Sequence, residues 1–175
     1  MILDITDVIS TTDKVKTVAV EIDMVSYDSK LGSFPIVEKK PFDLCLVNDD
    51  DKRLYISGKT EFKVVIPCDR CLEEVAMPFQ VRIDEELSLV DGEVTEEEDG
   101  EPYTFLDEHH LDVDRLIYDE ILVNWPAKVL CRKDCKGICP KCGQNLNQQD
   151  CGCNRTVLDP RMAKFQDVFK EFKEV

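Results

Sequence analysis

Cys131–Cys153, CRKDCKGICPKCGQNLNQQDCGC, sets six thiols among Gly, Lys, Asn and Gln with almost nothing apolar to bury. A stretch this polar cannot hold a shape by hydrophobic packing, so disulfides or a metal must crosslink it. The spacing favours a metal. Cys139 and Cys142 in CPKCG have the two-residue gap and following Gly that let two thiolates converge on one tetrahedral ion while backbone amides turn towards the sulfurs. This is a zinc knuckle. Cys151 and Cys153 supply a tighter pair after a short loop, so Cys139, Cys142, Cys151 and Cys153 can close a four-sulfur site by themselves.

Cys131 and Cys135 are then left over, and far upstream stands Cys68-Asp-Arg-Cys71, equally in need of partners. A second tetrad of Cys68, Cys71, Cys131 and Cys135 would staple the middle of the chain to its tail. Spacing constrains local pairs well and distant partners poorly. Two other arrangements therefore stay open: Cys68 and Cys71 with Cys139 and Cys142, or a single filled site. One or two structural zinc ions are expected. The competing readings are a disulfide-linked tail, free thiols, or a redox dithiol at CDRC. Met1-Ile-Leu-Asp-Ile-Thr-Asp lacks the basic start and apolar core of a secretory signal, so a reducing cytoplasmic compartment is expected.

Outward from the thiols the pattern becomes β-rich. Thr17–Val25 alternates, with Val18, Val20, Ile22 and Met24 on one side; Tyr27–Pro35, containing Asp, Ser, Gly and Pro, reads as a turn or loop. Phe42–Val47 and Arg53–Gly58 read as a hairpin across Asn48-Asp-Asp-Asp, Glu61–Pro67 as a third strand and Val75–Leu89 as a fourth. CDRC then falls at a hairpin tip, where a tight turn aims both sulfurs the same way. Residues 1–14 read as a loosely packed strand or short helix. Cys45, remote from other cysteines, reads as a small buried apolar side chain. Asp112–Asn124 gives an amphipathic helix with Val113, Leu116, Ile117, Ile121 and either Leu122 or Val123 as its stripe, stopped by Trp125-Pro126. After the thiols, Asp159-Pro160 starts a final helix carrying Met162, Phe165, Val168, Phe169 and Phe172. His109 and His110 lack the register of a helical metal motif and receive no role.

The fold class expected is therefore α+β: an antiparallel meander or barrel-like sheet with a packed helix, then a zinc-knuckle tail and a C-terminal helix. The expected organisation is a core over 1–127 and a cysteine-rich tail over 128–175. With 43% hydrophobic residues, the 175-residue chain has enough apolar material for a real core. No apolar run is long enough to span a bilayer.

A net charge of −15 argues against a protein that coats nucleic acid through a general basic surface. The charge is uneven, however. From Ile83 to Asp114 there is no Lys or Arg, and residues 90–104 read as an acidic, solvated loop. The tail has the opposite bias, with Lys128, Arg132, Lys133, Lys136 and Lys141, and these are the candidate contacts for RNA or a protein partner.

CDRC on a hairpin, an acidic insertion, DRLIYDEILVNWP, CRKDCKGICPKCGQNLN and the closing DPRMAKF, in that order, resemble the YceD family of large ribosomal RNA subunit accumulation proteins. The resemblance covers nearly the whole chain and is most specific at Cys68–Cys71, Cys131–Asn147 and Asp159–Met162. It implies ribosome biogenesis in the bacterial cytoplasm. The partner expected is a large-subunit rRNA precursor or a basic ribosomal protein, the acidic surface favouring the protein, and no small-molecule substrate is expected. By resemblance Cys68 and Cys71 are the most characteristic pair. The tail cysteines are less uniform in the family, which makes stability the expected role of zinc there. A non-enzymatic assembly factor is the leading expectation, since four thiolates would saturate zinc and leave no open position for chemistry. A zinc-dependent regulatory or interaction module, an RNA-processing enzyme and a dithiol redox enzyme are the alternatives.

Overall fold

Side chains that alternate apolar and polar along a strand give a sheet one buried face. The computed structural model describes residues 1–90, 92–95 and 103–154. Their elements are, in order, β1 (Ile2–Asp4), α1 (Thr6–Ile9), β2 (Val15–Val20), β3 (Ser26–Ser29), β4 (Gly32–Val37), β5 (Phe42–Asp49), β6 (Arg53–Pro67), β7 (Glu74–Val90), β8 (Glu93–Val94), β9 (Leu106–Asp107), β10 (His110–Asp112) and α2 (Val113–Val123). The C-terminal helix expected after Asp159 and most of the acidic loop lie outside the described residues.

β6 and β7 form a long antiparallel hairpin, paired without a slip from Arg53↔Ser88 to Pro67↔Glu74. The other edge of β6 takes β5 near its start (Leu44↔Gly58 to Asp49↔Arg53) and β4 near its end (Ile36↔Val64, Val37↔Lys63). β2 then pairs with β5, β3 with β4 and β8 with β7, giving a seven-stranded antiparallel sheet curled into a half-barrel. β1, β10 and β9 make a separate three-stranded sheet. Leu44, Leu46, Leu54, Ile56, Ile83 and Leu87 from the strands share one core with Val113, Leu116, Ile117 and Ile121 of α2.

Several local expectations change. The runs read as separate strands at 53–58 and 61–67 are one strand, β6. Gly58 and Thr60 interrupt its apolar face, yet a Cβ at Gly58 would come within 3.1 Å of both the Asp43 carbonyl and Leu44. The glycine therefore permits a close approach of β5 rather than ending the strand. Tyr27–Pro35, expected as a turn or loop, holds a turn at residues 30–31, but the residues on either side are paired strand, most of the β3–β4 hairpin. Tyr27 and Phe34 are buried there against Trp125, at ring-centroid distances of 5.2 and 4.9 Å. The first fourteen residues form both a short strand and a short helix, with Leu3, Ile5, Val8 and Ile9 buried in the core and Ser10–Asp13 exposed.

What holds that segment is Asn48, fully buried where the sequence suggests only a turn former. Its Nδ2 donates to the carbonyls of Val8 (3.0 Å), Ile9 (3.1 Å) and Thr11 (3.2 Å) and to the Asp51 carboxylate (3.0 Å), which ties the end of α1 and the turn after it to β5. In α2, the Asp112 carboxylate caps the amino end by accepting from the amides of Asp114 and Arg115. The apolar stripe ends at Ile121. Leu122 and Val123 are exposed, and Trp125 beyond the helix makes the packing assigned to them. Cys45 is half-buried, because it projects from the face of β5 opposite Leu44 and Leu46.

Candidate metal centres

Between Pro67 and Glu74 the long hairpin turns through Cys68–Glu73. There the Cys68 amide donates to the Glu73 carbonyl at 2.8 Å, and the Leu72 amide to the Cys68 carbonyl at 2.9 Å. Cys139–Gln144 repeats the arrangement: the Cys139 amide donates to the Gln144 carbonyl at 2.8 Å and the Gly143 amide to the Cys139 carbonyl at 2.9 Å. Leu72 (φ +62°) and Gly143 (φ +74°) occupy the same left-handed position. CDRC and CPKC are thus the same knuckle. In each, amides surround the sulfurs: those of Arg70 and Cys71 point to Cys68 and that of Glu73 to Cys71, while those of Lys141 and Cys142 point to Cys139 and that of Gln144 to Cys142.

The tail is seated on the hairpin tip by backbone exchange. The Asp69 amide donates to the Val129 carbonyl (2.9 Å), the Val129 amide to the Asp69 carboxylate (2.7 Å), and the Ile138 amide to the Arg70 carbonyl (3.0 Å). Arg70 Nη1 donates to the Cys135 carbonyl at 2.8 Å. Gly137 has φ +78°, and a Cβ there would lie 2.9 Å from the Arg70 carbonyl oxygen, so only glycine suits this crossing. Amide side chains complete the seat. Asn147 Nδ2 donates to Cys135 Sγ at 3.2 Å while its Oδ1 accepts from the Lys136 amide, and the Glu73 carboxylate accepts from Asn145 (2.9 Å) and Gln148 (3.2 Å).

This folding brings the thiols into two groups, Cys68 with Cys71, Cys131 and Cys135, and Cys139 with Cys142, Cys151 and Cys153. Within each, all four sulfurs lie within 4.8 Å of one another. In the first, Cys68–Cys135 is 3.8 Å and Cys71–Cys131 is 3.4 Å. A zinc ion about 2.3 Å from each of four tetrahedral sulfurs would set them about 3.8 Å apart, whereas a disulfide needs about 2.05 Å. All nine cysteines are free thiols. Both donor sets suit a soft, four-coordinate ion.

The electrostatics agree. Burial alone would raise the Cys68 thiol, but the amides of Arg70, Cys131 and Cys71 outweigh it and bring the group down to about 6. The amides of Cys142 and Lys141 bring Cys139 to about 6, and the Asn147 side chain holds Cys135 low. Burial pushes Cys71 up, and the neighbouring Cys142 and Cys151 push Cys153 up to about 12. Each group therefore holds sulfurs driven in opposite directions, as expected where four thiolates cannot coexist without a cation among them. The first site is the more enclosed: Cys68, Cys71 and Cys135 are buried, whereas Cys142 in the second is exposed.

Lys128, Arg132, Lys133, Lys136 and Lys141 are all exposed. Arg132 faces Asp134 at 3.7 Å; no ion pair involves the four lysines among the described residues. Spacing did not point to Asp69, Arg70, Glu73, Asn145 or Asn147, although the first two stand inside CDRC and the amides of QNLNQQ were an available signal. Cys45, His109 and His110 belong to neither thiol group.

A curled antiparallel sheet whose longest hairpin ends in one of two four-thiol clusters defines a small cysteine-rich α+β protein with two groups of thiols that could hold metal ions. The chain belongs to the YceD family, described as large ribosomal RNA subunit accumulation protein YceD, which matches residues 56–169. An uncharacterized protein of Mycobacterium tuberculosis is 28% identical over 113 residues, covering 65% of this chain and 54% of its own length. YlbN of Bacillus subtilis is 24% identical over 123 residues, 68% of this chain and 66% of its own. An Arabidopsis thaliana chloroplast protein, large ribosomal RNA subunit accumulation protein YCED homolog 1, is 37% identical over 49 residues, 28% of this chain and 15% of its own. The chain spans about half the length of the mycobacterial relatives it matches. No solved structure matches it. Among the described residues no helix is long and apolar enough to cross a membrane.

Proposed function

We propose that this protein is a non-enzymatic ribosome-biogenesis factor of the cytoplasm that supports accumulation or maturation of large-subunit rRNA. It does so as a scaffold stapled by two structural zinc ions, one held by Cys68, Cys71, Cys131 and Cys135 and the other by Cys139, Cys142, Cys151 and Cys153. Its partner is a large-subunit rRNA precursor or a basic ribosomal protein. The observation that supports this most is the pairing of two all-sulfur tetrads with membership of the YceD family. Four thiolates fill zinc's coordination shell, so the ions would fix shape rather than activate water. A rigid tail is what a binding surface requires, and the tail's own composition cannot supply rigidity.

The test joins metal analysis to ribosome fractionation. Protein purified under reducing conditions is expected to carry about two equivalents of zinc, the count the two tetrads define. In sucrose gradients of lysate it is expected to travel with large-subunit precursors at low salt. A metal-free, fully reduced preparation with an ordered tail would refute the zinc scaffold. Absence from all precursor fractions, together with normal large-subunit rRNA levels in a deletion strain, would refute the ribosomal role.

A further inference from the structure

Leu72 is left unexplained by the metal chemistry. Its φ of +62° places it where an L-residue's Cβ crowds the following carbonyl oxygen, and its side chain is 64% exposed. Six non-glycine residues among those described have positive φ; five are Asp or Glu, and Leu72 is the sixth. The sister knuckle has glycine at the equivalent position, with nothing within 4 Å of the place a Cβ would take. Knuckle geometry therefore calls for no side chain here. Neither does packing, since Leu72 is absent from the apolar cluster of Cys68, Cys71, Cys135, Val75, Leu130 and Cys131. A bulky apolar residue in a strained conformation, held out in solvent on a rigid tip, is costly in the isolated protein. Contact with something else would offset that cost.

The surroundings indicate the chemistry of the contact. Ile138, 36% exposed, is bound through its amide to the Arg70 carbonyl and so lies beside the tip. Arg70 is exposed and anchored through the Cys135 carbonyl; exposed Lys136 precedes Gly137, which touches Arg70. Exposed apolar side chains near an anchored Arg70 and an exposed Lys136 suit an unpaired nucleotide, whose base needs an apolar surface and whose phosphates need positive charge. Of the acids on the same turn, Asp69 is engaged by the Val129 amide and Glu73 by Asn145 and Gln148, which leaves Arg70 and Lys136 to face an anionic partner.

We propose that the metal-bearing tip is an RNA-contact surface, with Leu72 and Ile138 packing against an unstacked base and Arg70 and Lys136 holding the flanking phosphates. This rests on the ribosomal reading above and names the surface through which it operates. The zinc knuckle fixes the backbone from which Leu72 projects, so the crosslink and the contact are parts of one device.

The probe is an in vitro transcript of large-subunit rRNA, titrated with the zinc-loaded full chain over a range of salt concentrations. Leu72→Gly copies the sister knuckle. It is expected to retain its zinc and melt no lower than the parent, yet bind the transcript about five- to tenfold more weakly, the loss of one apolar contact. Its salt dependence should be unchanged. Lys136→Gln should flatten the log–log salt dependence by about 0.7, the share of one phosphate on a single strand. The proposal is overturned if Leu72→Gly binds as tightly as the parent, if it loses zinc or melts lower, or if the parent holds a ribosomal protein through Leu72 and no RNA. Co-sedimentation separates the two readings. Absence of the parent from precursor particles defeats the ribosomal role itself, whereas Leu72→Gly sedimenting and binding like the parent defeats only the surface assigned here.

Discussion

Breaking either thiol tetrad with the same substitution should have unequal effects, because the two sites close loops of different length. The first joins Cys71 to Cys131 across 60 residues and Cys68 to Cys135 across 67. The second closes about nine residues between Cys142 and Cys151, and a crosslink removes less denatured-chain entropy from a shorter loop. On the chain-entropy relation, a loop of about 60 residues contributes about 4.3 kcal/mol and one of about nine residues about 2.6 kcal/mol. The difference of about 1.7 kcal/mol corresponds to about 3–7 °C in melting temperature for a chain of this size. Cys131→Ser and Cys151→Ser make a matched pair, since both parent side chains are half-buried and the chemistry of the change is identical. Scanning calorimetry of each variant, after dialysis against a mild chelator and with zinc counted by mass spectrometry, gives the comparison. Each variant should lose about one equivalent, the content of one tetrad, and Cys131→Ser should melt several degrees lower. Equal melting temperatures, or full zinc retention in both variants, would refute the argument that the first site is a long-range staple.

Three other perturbations probe the parts that position the sites. Asn48→Ala removes the side-chain donor that the carbonyls of Val8, Ile9 and Thr11 share and should cost about 1–3 kcal/mol in urea unfolding; Asn48→Asp should do no better, since a carboxylate cannot donate. Gly137→Ala places a Cβ 2.9 Å from the Arg70 carbonyl and should empty the first tetrad while the second keeps its ion, so zinc content should fall by about half. Asp7, paired with Lys16 at 2.8 Å and Lys14 at 3.0 Å, has its carboxyl pulled down to about 2 by those two ammonium groups. A depressed carboxyl contributes stability that is complete above its unfolded value of about 3.9 and is lost as pH falls through the folded value. The stability gap between the parent and Asp7→Asn should therefore be flat at neutral pH and close below about pH 3; an Asp7 carboxyl that titrates by NMR at its unperturbed value of about 3.9 would contradict this.

The sequence reveals the strands through alternation, and it does so best where large apolar residues recur on one face with few interruptions. Phe79, Val81, Ile83 and Leu87 read directly as the buried face of β7. It hides β6 because Gly58 and Thr60 stand where apolar residues would otherwise mark the inner face. The reason for the glycine is the nearness of Asp43 on another strand, and no local pattern records that. Asn48 misleads in the same way, since its turn propensity is evident and its bonds to residues some 40 positions earlier are not. Thiol spacing identifies the local pairs, and it proposes the grouping of Cys68 and Cys71 with Cys131 and Cys135 as one arrangement among several. What selects this grouping in the fold is the exchange of hydrogen bonds between Asp69 and Val129 and the crossing of Gly137 over Arg70.

The two knuckles carry the same lesson to function. Read side by side, CDRCLE and CPKCGQ differ at the position after the second cysteine, and only φ shows that Leu72 stands where backbone preference favours glycine. With the crosslinks made by sulfur and the seat made by amide side chains, neither stability nor metal binding accounts for a leucine there. The tip must therefore be judged by what it presents to solvent. Its apolar projection beside Arg70 and Lys136 makes the end of the long hairpin, rather than the acidic remainder of the molecule, the place to look for contact with RNA.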